Sequence, residues 1–241
     1  LSPTHIIRRL RPSSNWKEPH LKPVPIMPTA GKGWRHFPRN ANLNMDELKP
    51  VLKAYAACEA EVGALSSGLW FQWCSNCREV CCQAVYCRET LESPFLFLLS
   101  KNHSPEVFYS TQKAWLSETG CKLSIGRPPV CYEFLCGTIL EAQQPVIERY
   151  AMIVLSKLIS YIGKRALGSR HLIEVMDLDD LKKIKYSRFQ KRLAEARDAI
   201  DVIQLYYRGH KLEKEHLKFL SKISSLNLGK GNPIIGYIGG E

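Results

Sequence analysis

RFQKRLAEARDAIDVIQLYY, residues 188–207, places Phe189, Leu193, Ala196, Ile200, Ile203 and Tyr207 at steps of four, three, four, three and four. Those steps track the 3.6-residue helical turn, so the six side chains form one continuous apolar stripe. Ser187 followed by Gln190 has the form of a capping box and is predicted to open the helix. The other face carries Lys191–Glu195 and Arg197–Asp201 at i,i+4, the spacing of ion pairs on a solvated helix. A helix that is apolar on one side needs a second apolar surface to cover it, and the neighbouring sequence supplies several.

Residues 146–162 are apolar on most sides and predict a buried helix. A short helical piece is expected over 179–185, and a last helix over 212–224. Toward the N-terminus, Asn44 is an N-cap candidate with Glu47 three residues on. Leu48, Leu52, Tyr55, Val62 and Leu65 then recur at near-helical spacing, and the helix is expected to end around Ser66–Gly68. Shorter helical pieces are expected over 88–101 and 110–119. There is little strand alternation and no internal repeat. The predicted fold class is mainly α: a small Cys-rich region stapled by a metal or cluster and packed on a helical bundle, with an extended N-terminal arm. The boundaries are 1–42 for a Pro-rich basic arm, 43–140 for the cysteine-cluster domain and 141–241 for the C-terminal helical region. The last two are expected to pack as one unit.

Charge separates the same three parts. The 241 residues carry a formal net charge of +11. Residues 1–40 contribute +7, residues 41–140 contribute −2 and residues 141–241 contribute +6. The cysteine-bearing middle is therefore slightly acidic between two basic flanks. The first 42 residues hold seven of the fourteen prolines, which fix φ and lack an N–H, so this arm should be irregular. Its Ile6, Ile7, Trp16, Ile26, Met27, Trp34 and Phe37 suit a segment that lies across a surface. No membrane span is expected, because 145–162 is interrupted by Glu148, Arg149 and Lys157. Leu1–Leu10 contains His5, Arg8 and Arg9 rather than an apolar signal-peptide core. A reducing, cytoplasmic compartment is the expected setting, where clustered cysteines point to metal or redox chemistry rather than disulfides.

Eight of the nine cysteines fall within 63 residues: Cys74, Cys77, Cys81, Cys82 and Cys87, then Cys121, Cys131 and Cys136. Two thiolates separated by two residues can turn back on one ion, which describes Cys74-Ser75-Asn76-Cys77. The second group supplies ligands from a distant part of the chain to close the shell. Eight thiolates suit two four-coordinate zinc ions, or one 4Fe-4S cluster with thiolates to spare. Adjacent Cys81 and Cys82 point in different directions, so one of them is expected to serve a second centre or the core. Cys58 stands alone on a predicted helix and reads as a small hydrophobe. His103, the one histidine between the two groups, reads as a solvated loop residue.

Cys74-x2-Cys77-x3-Cys81-Cys82, with Cys87 beyond, is followed by Gly120-Cys121-Lys122-Leu123 and by Arg127-Pro128-Pro129-Val130-Cys131 and Cys136. This pattern resembles the YkgJ-like cysteine-cluster family, described as zinc- or iron-chelating domains. The resemblance covers about residues 70–137. It departs from the family by one extra residue before Cys81, and Arg78 stands where a glycine usually follows the second cysteine. The resemblance implies a zinc or iron–sulfur centre held by the cysteines of both groups. Arg78 argues against a zinc knuckle. The interleaved Trp70, Phe71, Trp73, Tyr86, Phe95, Phe97 and Phe134 suit a water-excluding shell around a cluster, which tilts the reading toward iron–sulfur.

Three functions follow from these readings. The first is a metal-binding or cluster-binding accessory protein. The second is a cluster-dependent protein-modifying enzyme, since flagellin lysine-N-methylase has a similar cysteine-rich region. The third is a nucleic-acid- or complex-associated subunit whose metal only staples the fold. An anionic partner, nucleic acid or acidic protein, would meet the basic flanks through Arg8, Arg9, Arg11, Lys182, Lys183, Lys185 and Arg188. No Ser/His/Asp or paired-carboxylate arrangement is legible. Gly31-Lys32-Gly33 and Gly229-Lys230-Gly231 lack the phosphate-loop spacing.

Overall fold

Helix α6 (Val146–Gly163) explains the architecture, because its apolar residues occupy nearly every side. Ile147, Tyr150, Ala151, Val154, Leu155, Leu158, Ile159 and Ile162 are all buried. A helix of this kind is stable only when surrounded, and α6 packs against α1 (Lys49–Cys74), α4 (Val130–Glu133), α8 (Tyr186–Tyr207) and α9 (Lys214–Ser224). Full burial of each large aliphatic side chain contributes roughly 1.5–3 kcal/mol before the entropy cost of ordering it. These relations come from a computed structural model. It describes residues 46, 48–74, 82, 84–110, 113–118, 120–142 and 146–224. The N-terminal arm, Cys77, Cys81 and the C-terminal tail lie outside the described residues, and so do Arg8, Arg9 and Arg11.

The described residues are mainly helical, as the periodicity predicts. Helix α8 buries Phe189, Leu193, Ala196, Ile200 and Ile203, the predicted stripe, while Tyr207 at its end is half-buried. Its start differs from expectation. Lys185 is the N-cap and makes no side-chain cap hydrogen bond, and Ser187 already lies inside the helix, so the capping box does not form. The i,i+4 ion pairs Lys191–Glu195 and Arg197–Asp201 do not form either; Glu195 instead accepts from the Tyr161 hydroxyl at 2.6 Å. Helix α9 covers α6 with Leu217, Leu220 and Ile223, and the Tyr150 hydroxyl donates to the Leu217 carbonyl at 3.3 Å. Among the described residues no helix is long and apolar enough to cross a membrane.

Helix α1 runs through the Ser66–Gly68 break that the sequence suggested and ends at Cys74, 26 residues in all. Single glycines cost a helix only about 1 kcal/mol, which the packing of Val51, Leu52, Tyr55, Cys58 and Val62 into the core outweighs. Cys58 is a core residue, its thiol pushed up to about 12 by burial above all. The expected helix over 88–101 is two helices, α2 (Ala84–Glu92) and α3 (Pro94–His103), divided at Ser93. The Ser93 hydroxyl accepts from the Leu96 amide and caps α3, and Pro94 occupies its first turn.

The helix expected over 110–119 is instead a hairpin. Strand β1 (Leu116–Ser117) pairs antiparallel with β2 (Gly120–Cys121), and Ser110 bridges to Ala114. Two residues here take left-handed backbone, Gly120 at φ 116° and Ala114 at φ 53°, which a helix cannot contain. Helices α5 (Gly137–Ala142) and α7 (Leu178–Leu181) complete the order, with a short 3-10 turn at Leu172–Glu174. Asp177 caps α7 by accepting from the Asp179 and Asp180 amides.

Candidate metal centre

The hairpin closes a second, smaller core. Cys87 of α2, Ala114, Trp115 and Leu123 are buried together, with Cys121, Tyr109 and Leu116 packed at the edge. The Trp115 indole donates to the Cys87 carbonyl at 3.3 Å, and its ring meets Tyr109 edge-on at 5.3 Å. Cysteines from the two sequence groups therefore meet through this satellite core. Cys82 is exposed beside α2, and Cys74 is the last residue of α1.

A buried carboxylate fixes the turn that leads to Cys131. Glu59, on the inward face of α1, is 0% exposed. It accepts from the Gly126 amide at 2.9 and 3.0 Å, from the Arg127 amide at 3.0 Å and from the Tyr132 hydroxyl at 2.8 Å. Burial raises its pKa, and the hydrogen bonds from Gly126, Tyr132 and Arg127, with the Arg127 charge, pull it back. Gly126 is required at the clamp: its φ is 85°, and a Cβ there would stand 2.9 Å from the Ser100 nitrogen and 3.0 Å from the Leu96 oxygen. The Gly126 carbonyl accepts from the Thr90 hydroxyl at 2.9 Å, which ties α2 to the same turn. Arg127 folds back to donate from Nε to the Leu123 carbonyl at 2.6 Å, with its guanidinium over the Tyr132 ring. Pro128 and Pro129 then preset φ for the start of α4, whose second residue is Cys131.

The sulfur environment follows from this scaffold. Cys131 reaches the surface, but protein crowds its sulfur. Its pKa is pushed up to about 12, by burial first and then by the neighbouring thiols of Cys121, Cys87 and Cys82, against the pull of Arg127. Burial also raises Cys121, while the Leu123 amide donates to its sulfur and Arg127 lies near. Thus two cysteines of the first group and two of the second are electrostatic neighbours. Cys136, just before α5, is half-buried, and its carbonyl accepts from the Ile139 and Leu140 amides. His103 is exposed at the end of α3. Among the described residues no three His, Cys, Asp or Glu side chains converge closely enough to hold a metal ion.

The donors are of the metal-ligating type, but among the described residues they do not converge on one point. Neighbouring thiols in an apolar setting resist ionising individually, and a bound cation reverses that by stabilising the thiolates together. Among the described residues the expected aromatic shell does not form around the cysteines: Trp70 packs on the main core, and the side chains of Phe71 and Trp73 lie outside the described residues. Phe95 belongs to the main core against Tyr55, whereas Tyr86 and Phe134 are exposed. Trp115 and Tyr109 line the satellite core instead, because proximity in the chain does not decide which face of a helix or hairpin a ring occupies.

Glu59 and Tyr132 were not singled out as site residues by the sequence. A signal existed: the apolar series on α1 steps from Tyr55 to Val62, and the position between them on the same face is an acid. An ionisable residue inside a buried stripe marks a specific polar partner elsewhere in the fold. The molecule is thus a mainly helical protein with a cysteine-lined satellite core. No family model, curated protein or solved structure matches the chain.

Proposed function

We propose that this chain is a cysteine-cluster metal-binding protein, related to the YkgJ-like family, that acts as a binding or accessory protein. It holds an iron–sulfur cluster, or zinc in its place, through thiolates drawn from Cys74, Cys77, Cys81, Cys82, Cys87, Cys121, Cys131 and Cys136. The observation that supports this reading is the packing of Cys87 from the first group against Cys121 from the second in one small core, with Cys131 close enough for their charges to raise its thiol. The thiol chemistry suits a reducing, cytoplasmic setting. An anionic partner would meet the basic flanking segments rather than the slightly acidic middle of the sequence.

Anaerobic purification followed by iron, sulfide and zinc analysis tests the reading. A brown protein with iron and acid-labile sulfide supports the cluster, and stoichiometric zinc in a colourless protein supports zinc. Neither metal above trace level in wild type, with Cys121→Ser and Cys131→Ser variants unchanged in stability, would overturn it.

A further inference from the structure

Five cations surround one hollow where the end of α6 meets the start of α8. Arg165, Lys185, Arg188, Lys191 and Arg192 line a concavity of about 570 Å³. Two of them are fastened from behind. Arg188 donates to the Arg165 carbonyl at 3.0 Å, and Arg192 donates to the Lys164 carbonyl while its guanidinium lies over the Tyr161 ring. The one carboxylate on the wall, Glu195, accepts from the Tyr161 hydroxyl.

Among the described residues none of the five forms an ion pair. Lys182 and Lys183, in the same basic run, are different: they pair with Asp179 at 2.8 Å and Asp180 at 3.0 Å. Five positive charges against the single carboxylate of Glu195 leave a net repulsion, and an anion between them relieves that cost. Burial foremost holds the Arg192 guanidinium below its ordinary range; Arg188 and Arg165 push the same way, against the pull of Tyr161 and Glu195. The 22-residue helix α8 also begins here with no side-chain cap, so the positive end of its dipole adds to the field.

We propose that this concavity binds the phosphates of a single-stranded nucleic acid. Five cations exceed what one phosphate needs, whereas a phosphodiester chain presents successive charges to them. Tyr186, although it lies between Lys185 and Ser187 in the chain, turns to a neighbouring hollow with Lys182 and Ile184 and stacks at 6.5 Å on Phe189, so the cations themselves make the site. A positively charged groove that follows the backbone is the element by which single strands are held without sequence readout. The net charge of +11 supplies long-range attraction. The site is independent of the metal centre.

The test uses the full chain and a labelled single-stranded oligonucleotide of about 12 nucleotides, followed by fluorescence anisotropy across a salt series. Lys185 and Lys191 are exposed, so Lys185→Gln with Lys191→Gln removes two charges without touching the core. This double variant is expected to bind about tenfold more weakly, with a salt slope shallower by about 1.4 for two lost phosphate contacts. Lys182→Gln with Lys183→Gln makes the same charge change outside the hollow and is expected to stay within about twofold of wild type. Equal losses in the two double variants would overturn the site, since they would mean attraction by overall charge alone. Absence of oligonucleotide binding by wild type at about 50 mM salt would overturn it as well. So would binding of inorganic polyphosphate, but not the oligonucleotide, through Lys185 and Lys191.

Discussion

The bundle of α1, α6, α8 and α9 and the cysteine-bearing region around α2, the hairpin and α4 are held by different physics. The bundle buries long apolar faces against one another, and its stability is spread over many side chains. The satellite core holds four buried residues, Cys87, Ala114, Trp115 and Leu123, which is little apolar area for the loops it must fix. Specific polar contacts supply the rest: Glu59 reaches out of the bundle to hold Gly126, Arg127 and Tyr132, and Thr90 holds the Gly126 carbonyl. The difference teaches that a cysteine-rich region can borrow its order from a neighbouring core through one buried carboxylate. A bound metal would add a second source of order of the same local kind.

Experiments on each region can break that contrast. The largest effect is expected from Leu155→Ala in the middle of α6, which leaves a cavity at a fully buried site and should cost about 2–5 kcal/mol in urea denaturation. A loss below about 1 kcal/mol would show that the bundle does not carry the stability assigned to it. Glu59→Leu removes the acceptor of two buried donors, the Gly126 amide and the Tyr132 hydroxyl, and of the half-buried Arg127 amide, and should cost on the order of 3 kcal/mol. Its signature should be local, with faster amide exchange over 121–133 and lower metal content in anaerobic preparations. Leu155→Ala should lower stability while leaving metal content per folded molecule unchanged. If Glu59→Leu retains full metal content, the clamp does not position the cysteines. A smaller loss, about 1–3 kcal/mol, is expected from Gly126→Ala, which combines left-handed backbone with close contact to α3; thermal unfolding checks it.

The smallest effect is pH-dependent and belongs to the bundle side. His171 is held by its Nε2 at 2.8 Å from the Ser160 carbonyl, while its Nδ1 accepts from the Ile173 amide at 3.3 Å. This pattern selects the neutral ring, and burial first lowers its pKa below the ordinary 6.5. A depressed histidine means the unfolded chain binds the proton more readily. Its stabilisation is therefore complete above about pH 6.5 and is lost as the pH falls below that value toward the folded pKa. The melting temperature should drop between about pH 7.5 and 5, and His171→Asn should flatten part of that slope. An unchanged slope in the variant would remove His171 as the cause. Gly163 belongs to the same contact, since a Cβ there would overlap the His171 ring.

The helices α6, α8 and α9 were legible because each is long enough for its apolar rhythm to dominate local preferences. The hairpin at 116–121 was not, because Trp115 and Leu123 are drawn into a core completed by a residue from α2. The extension of α1 to Cys74 was missed for a related reason: tertiary packing outweighs the weak local penalty of Gly63 and Gly68. At the site, the sequence marked the cysteines and the Arg-Pro-Pro-x-Cys turn, which are chemically conspicuous. It did not mark Glu59, whose role exists only once α1 lies against residues 126–132.

By itself, then, the sequence determined the helical class, the buried character of α6, the separation of an acidic cysteine-rich middle from basic flanks, and the cysteine inventory. All four depend on residue type and on spacing along one segment. The tertiary structure alone decided that Cys87 and Cys121 share one small core, that Glu59 holds the turn leading to Cys131, and which cations of the basic run form no ion pair among the described residues. These are relations between segments brought together by the core, and no local periodicity encodes which distant partner a side chain will face.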